Sequence, residues 1–379
     1  MAFGGFQRFS LNRIHLVIAL TVIVLVGLLF NYRVTLYGRM NFSNASGRTN
    51  FFTVRNVTPS QVQGADKYVA LGRGVSNVTN ISVVTVTSTA PGINGTSATP
   101  VHLSTSQVSN ALEACPLVPP NLVTRMKVIA NPPPMEEQEK IFSYLMPGGR
   151  YTPKECQSRH RVAILIPYRN RSEHLLVFLN HMHYMLKRQQ LDYGIYVIEQ
   201  AGNDPFNRGK LLNVGFLIAS TLYDFQCFIF HDVDMIPEDD RNLYTCSEQP
   251  RHLTVAVSKF HYRLPYQGYF GGGCALTKSQ VQAINGFSNE YWGWGAEDDD
   301  LSYRVQYHNY KITRYSSDIA RYTTLAHKQA EASPQRMMLL NNRQKRYNTD
   351  GINSTKYTII DIVFKKLYTW IYVDLQYKK

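Results

Sequence analysis

Four consecutive carboxylates, Glu297-Asp298-Asp299-Asp300, follow directly on Tyr291-Trp292-Gly293-Trp294-Gly295-Ala296. Adjacent acids repel one another and exposed indoles leave apolar area in water, so folding alone gives little reason for this run. Aromatic rings beside a carboxylate do suit a saccharide held next to a general base. An acid-rich helix start, favoured by the positive end of the helix dipole, would explain the charges but not the indoles. A second acid pair, Asp232 and Asp234 around Val233, closes the apolar run Phe228-Ile229-Phe230-His231. Ligands of α/β enzymes gather at strand ends, and two hard oxygen donors there suit Mn²⁺ or Mg²⁺ holding a diphosphate. Alone, an Asp-x-Asp triplet more often means a solvated turn; the strand before it and the other acid cluster give it weight.

These groups need a scaffold. Apolar runs at 162–166, 195–198 and 225–230 alternate with helical patterns at 173–186 and 210–221, which predicts βαβαβ and a parallel sheet of nucleotide-binding character. Pro167-Tyr168-Arg169-Asn170-Arg171 follows the first strand, so Arg169 and Arg171 are placed to reach a diphosphate or a uracil from its end. Phe206-Asn207-Arg208-Gly209-Lys210 is not a P-loop. Six residues rather than four separate Gly202 from Gly209, and Leu211 stands where a Mg²⁺-binding hydroxyl belongs. Phe206 is available instead to stack on a base.

The chain has 379 residues, 44% of them hydrophobic, enough for one large domain or two small ones with appendages. Forty basic against 27 acidic residues give a net charge of +13. Zinc-finger spacing, a basic heptad region and ribonucleoprotein motifs are all missing, so a nucleotide sugar or a membrane surface, not nucleic acid, is the expected anionic partner. Residues 14–30 form an apolar run flanked by Arg8, Arg13 and Arg33, and Asn31-Tyr32-Arg33 is no small-residue cleavage site. The expectation is an uncleaved transmembrane anchor, with a cytoplasmic tail over 1–13 and the remainder lumenal. Residues 31–110 are rich in Ser, Thr, Asn, Val and Gly with Asp66 the sole acid, the composition of a flexible, disordered stem. Glycosylation sequons at Asn41, Asn44, Asn56, Asn77, Asn80 and Asn94 fit that lumenal stem. The sequon at Asn170 falls inside the fold and is expected to stay bare; Asn353 is open. A catalytic domain is expected over 111–379. It holds all five cysteines, at 115, 156, 227, 246 and 274, which permits two bridges and a free thiol or leaves some as buried thiols.

From about Cys115 to Leu375 the chain resembles the β-1,4-galactosyltransferase family, Golgi type II enzymes that move galactose from UDP-galactose to terminal N-acetylglucosamine in a Mn²⁺-dependent inverting reaction. The resemblance is carried by five ordered blocks: Ile166-Pro167-Tyr168-Arg169-Asn170-Arg171, Phe206-Asn207-Arg208-Gly209-Lys210-Leu211-Leu212-Asn213-Val214-Gly215-Phe216, Asp232-Val233-Asp234, Tyr269-Phe270-Gly271-Gly272, and the tryptophan–acid run. It implies an α/β fold of the GT-A type with a central, mostly parallel sheet. It also implies disulfides Cys115–Cys156 and Cys227–Cys246, leaving Cys274 free. Asp234 and His327 match metal ligands and Asp232 a donor-side carboxylate. Thr324 occupies the position of the family's methionine ligand, and a hydroxyl is a harder, weaker donor than a thioether.

The same resemblance implies that Asp298 is the general base taking the proton from the acceptor 4-hydroxyl, that Glu297 and Asp299 orient sugar hydroxyls, and that Trp294 rides on a mobile loop hinged at Gly293 and Gly295. Pro167, Tyr168, Arg169, Arg171, Phe206, Arg208, Val233, Lys259 and Tyr269 fall on the donor side. Tyr266, Gly295, Arg336 and Met337 join Asp298 and Asp299 on the acceptor side. Residues 324–345 match a second lid whose closure excludes water and completes the acceptor site. A tyrosine at 269 crowds the sugar C2 position and favours galactose over N-acetylgalactosamine, a discrimination of about 1–3 kcal/mol. Met337 replaces an aromatic found in lactose-synthase members, so a modifier subunit is not expected. The expected reaction is transfer of galactose to the 4-hydroxyl of a terminal β-GlcNAc on glycoprotein or glycolipid glycans, in the Golgi membrane. UDP-GalNAc is the alternative donor. A two-carboxylate glycoside hydrolase would need neither Arg169/Arg171 nor Phe206. A non-catalytic lumenal lectin would lack part of the metal or base set, and only Thr324 points that way.

Overall fold

Strand β1 (Arg161–Tyr168) is buried at every position after Arg161, as a strand covered by helices on both faces must be. Its period-two alternation divides the core. Val162, Ile164 and Ile166 pack with Leu175, Phe178 and Met182 of α2 (Ser172–Arg188). Ala163 and Leu165 pack with Leu211, Leu212 and Phe216 of α3 (Arg208–Leu222) on the opposite face. The computed structural model describes residues 39–43, 49–53, 112–328 and 330–377. A short helix, α1 (Met135–Ile141), precedes β1.

The main sheet has eight strands in the order β8 (Thr313–Arg314), β5 (Arg251–His252), β7 (Gly273–Thr277), β3 (Cys227–His231), β1, β2 (Asp192–Gln200), β11 (Thr369–Asp374), β10 (Thr358–Phe364). β1 pairs parallel with both β2 and β3, and β11 parallel with β2. β7 runs antiparallel to β3 and β5, and β10 antiparallel to β11. The expected βαβαβ unit is present. Because β2 and β3 flank β1 on opposite sides, strand order reverses at the carboxyl end of β1, and that end opens the crevice where α/β folds bind ligands. A small second sheet joins β4 (Met235–Pro237), β9 (Arg321–Thr324) and β6 (Ala256–Val257). The remaining helices are α4 (Lys278–Ala283), α5 (Glu297–Tyr307) and α6 (Arg336–Asn341).

Disulfides link Cys115 to Cys156 and Cys227 to Cys246, while Cys274 is free and buried, the pairing that the family resemblance implies. Within the segment expected to be a disordered stem, Arg39–Ser43 and Thr49–Thr53 pair antiparallel. Among the described residues no helix is long and apolar enough to cross a membrane. The apolar run 14–30, the tail 1–13 and the rest of the stem lie outside the described residues.

Candidate active site

Asp232 leaves the end of β3 with its backbone N–H donating to Gly272 O at 2.9 Å. Arg208 opens α3, held there because Asn207 caps the helix: the Asn207 side chain accepts from Lys210 N at 2.8 Å, and Asn207 N donates to Gln200 Oε1 at 2.9 Å. From this fixed start, Arg208 Nε donates to Asp232 Oδ1 at 2.6 Å and its Nη1 lies 3.5 Å from Glu297 Oε1. Burial opposes the charge on Arg208, but Asp232 and Glu297 more than offset it and keep the group protonated. One guanidinium thus joins the strand-end carboxylate to the first residue of α5.

Helix α5 begins after a backbone that only a loop with unusual torsions could supply: φ is +88° at Gly293, +109° at Gly295 and +75° at Ala296. Asp298 stands on its first turn, with Oδ1 accepting from Asp299 N at 3.0 Å. Its Oδ2 lies against Gly271 so closely that a Cβ at 271 would collide with it, and would come within 2.9 Å of the Tyr269 hydroxyl oxygen. Gly271 is not among the expected site residues, yet its lack of a side chain makes room for the carboxylate. Thr254 Oγ1 donates to Gly271 O at 2.6 Å and fixes that turn. Burial, and then the Glu297 and Asp299 carboxylates, push Asp298 up to about 7, with Arg208 pulling the other way. The Tyr269 hydroxyl is raised by burial and next by Asp298 and Asp232, so it stands in the field of both acids.

The pH consequence has opposite signs for activity and stability. A carboxyl raised to about 7 in the fold holds its proton more tightly than in the unfolded chain, so its contribution to stability is full at low pH and declines as pH rises toward 7. A base must be ionised, so the rate is expected to climb over the window in which this contribution is lost. Initial rates and urea midpoints between pH 5.5 and 8.5 check both, and a rate flat from pH 6 to 8 would remove Asp298 as the titrating base.

Asp234 Oδ2 lies 2.9 Å from His327 Nε2. His327 Nδ1 is 2.8 Å from Lys328 O and 3.1 Å from Arg171 Nη2, so the ring can take either tautomer. With Nδ1 donating to Lys328 O, Nε2 turns a lone pair toward Asp234, and two acceptors in contact call for a cation between them. His174, whose ring centroid is 6.0 Å from that of His327, has a buried Nδ1 without a partner. Burial and the Asp232 carboxylate raise Asp234, a shift that a nearby cation would relieve. These residues fit a divalent ion. The Thr324 hydroxyl donates to Met235 Sδ at 3.6 Å, which leaves its oxygen lone pairs unused. No group of three or more His, Cys, Asp or Glu able to hold a metal occurs among the described residues, so an ion held by Asp234 and His327 would need phosphate oxygens or water to complete its shell.

Around this centre, Pro167 and Tyr168 end β1, and Val233 is buried between the two aspartates. Arg169 Nη1 donates to Asp204 O at 2.7 Å while its guanidinium lies 5.3 Å from the ring centre of Phe206, which is partly buried against the core. Tyr266 donates its hydroxyl to Asp299 Oδ1 at 2.7 Å. The exposed Trp294 is stitched by its backbone to the second expected lid: Trp294 N donates to Glu331 O at 3.2 Å, and Ser333 N to Trp294 O at 3.0 Å. Arg336 lies 5.9 Å over the Trp294 ring, and Gly295 leaves space for its Cδ. Met337 and Lys259 are exposed at the rim. Asp300, the fourth acid, is fully buried; it accepts from Tyr291 Oη at 2.9 Å and Arg304 Nε at 2.7 Å and so serves packing.

Residues 115–247 match the family described as the N-terminal region of glycosyl transferase group 7, and residues 251–328 match the N-terminal domain of galactosyltransferase. The chain is 49% identical over 263 residues to β-1,4-galactosyltransferase 4 of Cricetulus griseus, covering 69% of this chain and 76% of that one. The chain belongs to the β-1,4-galactosyltransferase family. A second relative, β-1,4-galactosyltransferase 1 of Mus musculus, is 47% identical over 290 residues, with 75% and 72% coverage. Among solved structures, a Drosophila β-1,4-galactosyltransferase 7 variant in complex with manganese, UDP-Gal and xylobiose superposes with a TM-score of 0.50 at 30% identity, covering 58% of this chain and 95% of that one. The chain is a UDP-sugar-dependent galactosyltransferase with a GT-A-like fold and a mostly parallel central sheet. The two matched regions of this galactosyltransferase carry Arg208, Asp232 and Asp234 in the first and Tyr269, Glu297, Asp298, Asp299 and His327 in the second, with Arg336 and Met337 beyond them.

Proposed function

We propose that the enzyme transfers galactose from UDP-galactose to the 4-hydroxyl of a terminal β-GlcNAc, with inversion at the anomeric carbon. The observation carrying this reading is the seat of Asp298, pressed on Gly271 beside Tyr269 and raised to about 7, a carboxylate tuned to accept a proton near neutral pH. The acceptor oxygen attacks C1 of galactose, the C1–O bond to the diphosphate breaks with its electron pair leaving on UDP, and the hydroxyl proton passes to Asp298. Arg208 holds Asp232 and Glu297 so that donor and base keep their spacing. Arg169, Arg171 and Phe206 receive the uridine diphosphate. Tyr266 and Asp299 fix the acceptor, and the segments around Trp294 and Arg336 cover the donor and exclude water. Mn²⁺ held by Asp234 and His327 would neutralise charge gathering on the departing diphosphate.

Tyr269 selects the donor in this reading. Its ring is walled in by His252 and Phe260, whose centres lie 5.4 and 5.8 Å away, so it cannot readily turn aside for an acetamido group. With purified protein, Mn²⁺ and a β-GlcNAc acceptor, product mass should show preferential gain of a hexose over an N-acetylhexosamine when both UDP-sugars are offered. Gain of N-acetylhexosamine would overturn the donor assignment. Tyr269→Leu is expected to raise use of UDP-GalNAc relative to UDP-Gal by about 10-fold or more; an unchanged ratio would move the donor gate elsewhere. We further assign the enzyme to the Golgi membrane, anchored by residues 14–30 with the catalytic domain lumenal. Two disulfides and the sequon-rich stem favour an oxidising secretory compartment.

A further inference from the structure

His231, the last residue of β3, is fully buried and takes no direct part in the proposed transfer. Burial pushes it down to about 4, so near pH 7 the ring is neutral and carries a single proton. His231 Nδ1 lies 2.9 Å from Asp232 O, which can only accept, so Nδ1 holds that proton and Nε2 is an acceptor. Nε2 lies 2.8 Å from Tyr244 Oη, which in turn lies 2.9 Å from Tyr322 Oη. At the far end Asn242 Nδ2 donates to Leu253 O at 3.2 Å and to Tyr322 Oη at 3.1 Å. One direction satisfies every donor: Asn242 to Tyr322, Tyr322 to Tyr244, Tyr244 to His231, and His231 to the Asp232 carbonyl. Every member of this chain is fully buried.

The relay joins the two segments that bring Asp234 and His327 together. Asp232 O also accepts from Met235 N at 3.2 Å, closing the turn on which Asp234 sits. Tyr322 stands on β9, and just beyond that strand Leu325 N donates to Asp234 O at 2.8 Å before the chain reaches His327. The segment bearing Asn242 and Tyr244 is anchored in its turn. Gln189 Oε1 accepts from Tyr244 N at 2.9 Å, Gln189 Nε2 donates to Asn242 O at 3.1 Å, and the disulfide to Cys227 follows at Cys246. We propose that His231, Tyr244 and Tyr322 are positioning residues for the metal, a buried relay that sets Asp234 against His327 before the ion arrives. The proposal rests on the assignment of Asp234 and His327 to the ion. Groups that orient metal ligands from behind are worth about 10–100-fold in metal affinity.

The test titrates the purified protein with Mn²⁺ alone, reading the free ion by electron paramagnetic resonance, with urea midpoints measured alongside. Tyr244→Phe cuts the relay at nearly constant volume and should weaken Mn²⁺ binding about tenfold or more. Tyr193→Phe is the control: it removes an equally buried hydroxyl, 2.8 Å from His183 Nδ1 on the other side of the core, and should lower stability without moving Mn²⁺ affinity. Two amides separate the ring nitrogens of His231. Asparagine sets an N–H near Nδ1 and keeps the donation to Asp232 O, whereas glutamine reaches only toward Tyr244. His231→Asn should therefore keep most of the affinity and His231→Gln should lose about tenfold or more. Unchanged affinity in Tyr244→Phe, equal weakening in Tyr193→Phe, or equal loss in the two His231 variants would overturn the relay. Affinity unmoved by Asp234→Asn would overturn the metal assignment itself, and the relay with it.

Discussion

Replacing Asp298 by asparagine should lower kcat by about 10²–10⁴-fold, the usual contribution of a positioned base, while the UDP-galactose dissociation constant stays within about twofold. The amide is nearly the same shape, so the Gly271 contact and the Asp299 backbone hydrogen bond are kept and only proton acceptance is lost. Stability should move the opposite way. Glu297 and Asp299 repel an ionised Asp298, so above pH 7 the variant should be more stable by on the order of 1 kcal/mol or more. Calorimetric titration with the nucleotide sugar, single-turnover rates and urea unfolding at pH 8 separate these effects. Undiminished transfer would assign the base elsewhere, and parallel losses of binding and stability would make Asp298 a structural residue.

Arg208→Met is the second large effect, and it should strike fold and chemistry together. Removing the guanidinium strands Asp232 and Glu297 without their partner, and breaking a buried pair in this way costs about 3–5 kcal/mol. Activity should fall further than partial unfolding explains, because the donor-side carboxylate and the acid helix lose their common tether. Arg208 also holds Asp298 down, so the pH midpoint of the residual rate should move upward, and Arg208→Lys should return part of the way. A stability loss under 1 kcal/mol with an unmoved midpoint would show that the hub carries neither role.

The centre of this fold was legible because it is written in local periodicity. The strands that became β1, β2 and β3 and the intervening helices announce themselves through apolar runs and 3.6-residue spacing; the structure extends β1, β2 and both helices by a few residues and shifts β3 from 225–230 to Cys227–His231. The flanks were not. β5 and β8 are two residues long and carry no period, and β7 is buried through four of its five positions, so alternation is erased. β10 and β11 have strand-forming side chains, but nothing local says that β11 returns to lie beside β2. In the site, residue types identified the acids; helix geometry then divided them. Glu297, Asp298 and Asp299 remain at the site while Asp300 turns inward to Tyr291 and Arg304, a distinction hidden in a run of four like charges. Gly271 went unmarked for a related reason: its role is an absence of atoms beside a carboxylate distant in sequence, and only the Gly271-Gly272 pair hinted at it. Nothing in the sequence pairs Thr324 with Met235, the partner its hydroxyl finds on the neighbouring strand.

The backbone bonds between Trp294 and residues 331–333 bear on timing. Swinging the tryptophan loop away either drags the 331–333 stretch along or breaks two hydrogen bonds worth about 0.5–1.5 kcal/mol each. In the proposed mechanism the tryptophan loop and the 331–333 stretch are therefore expected to open together, one movement serving both.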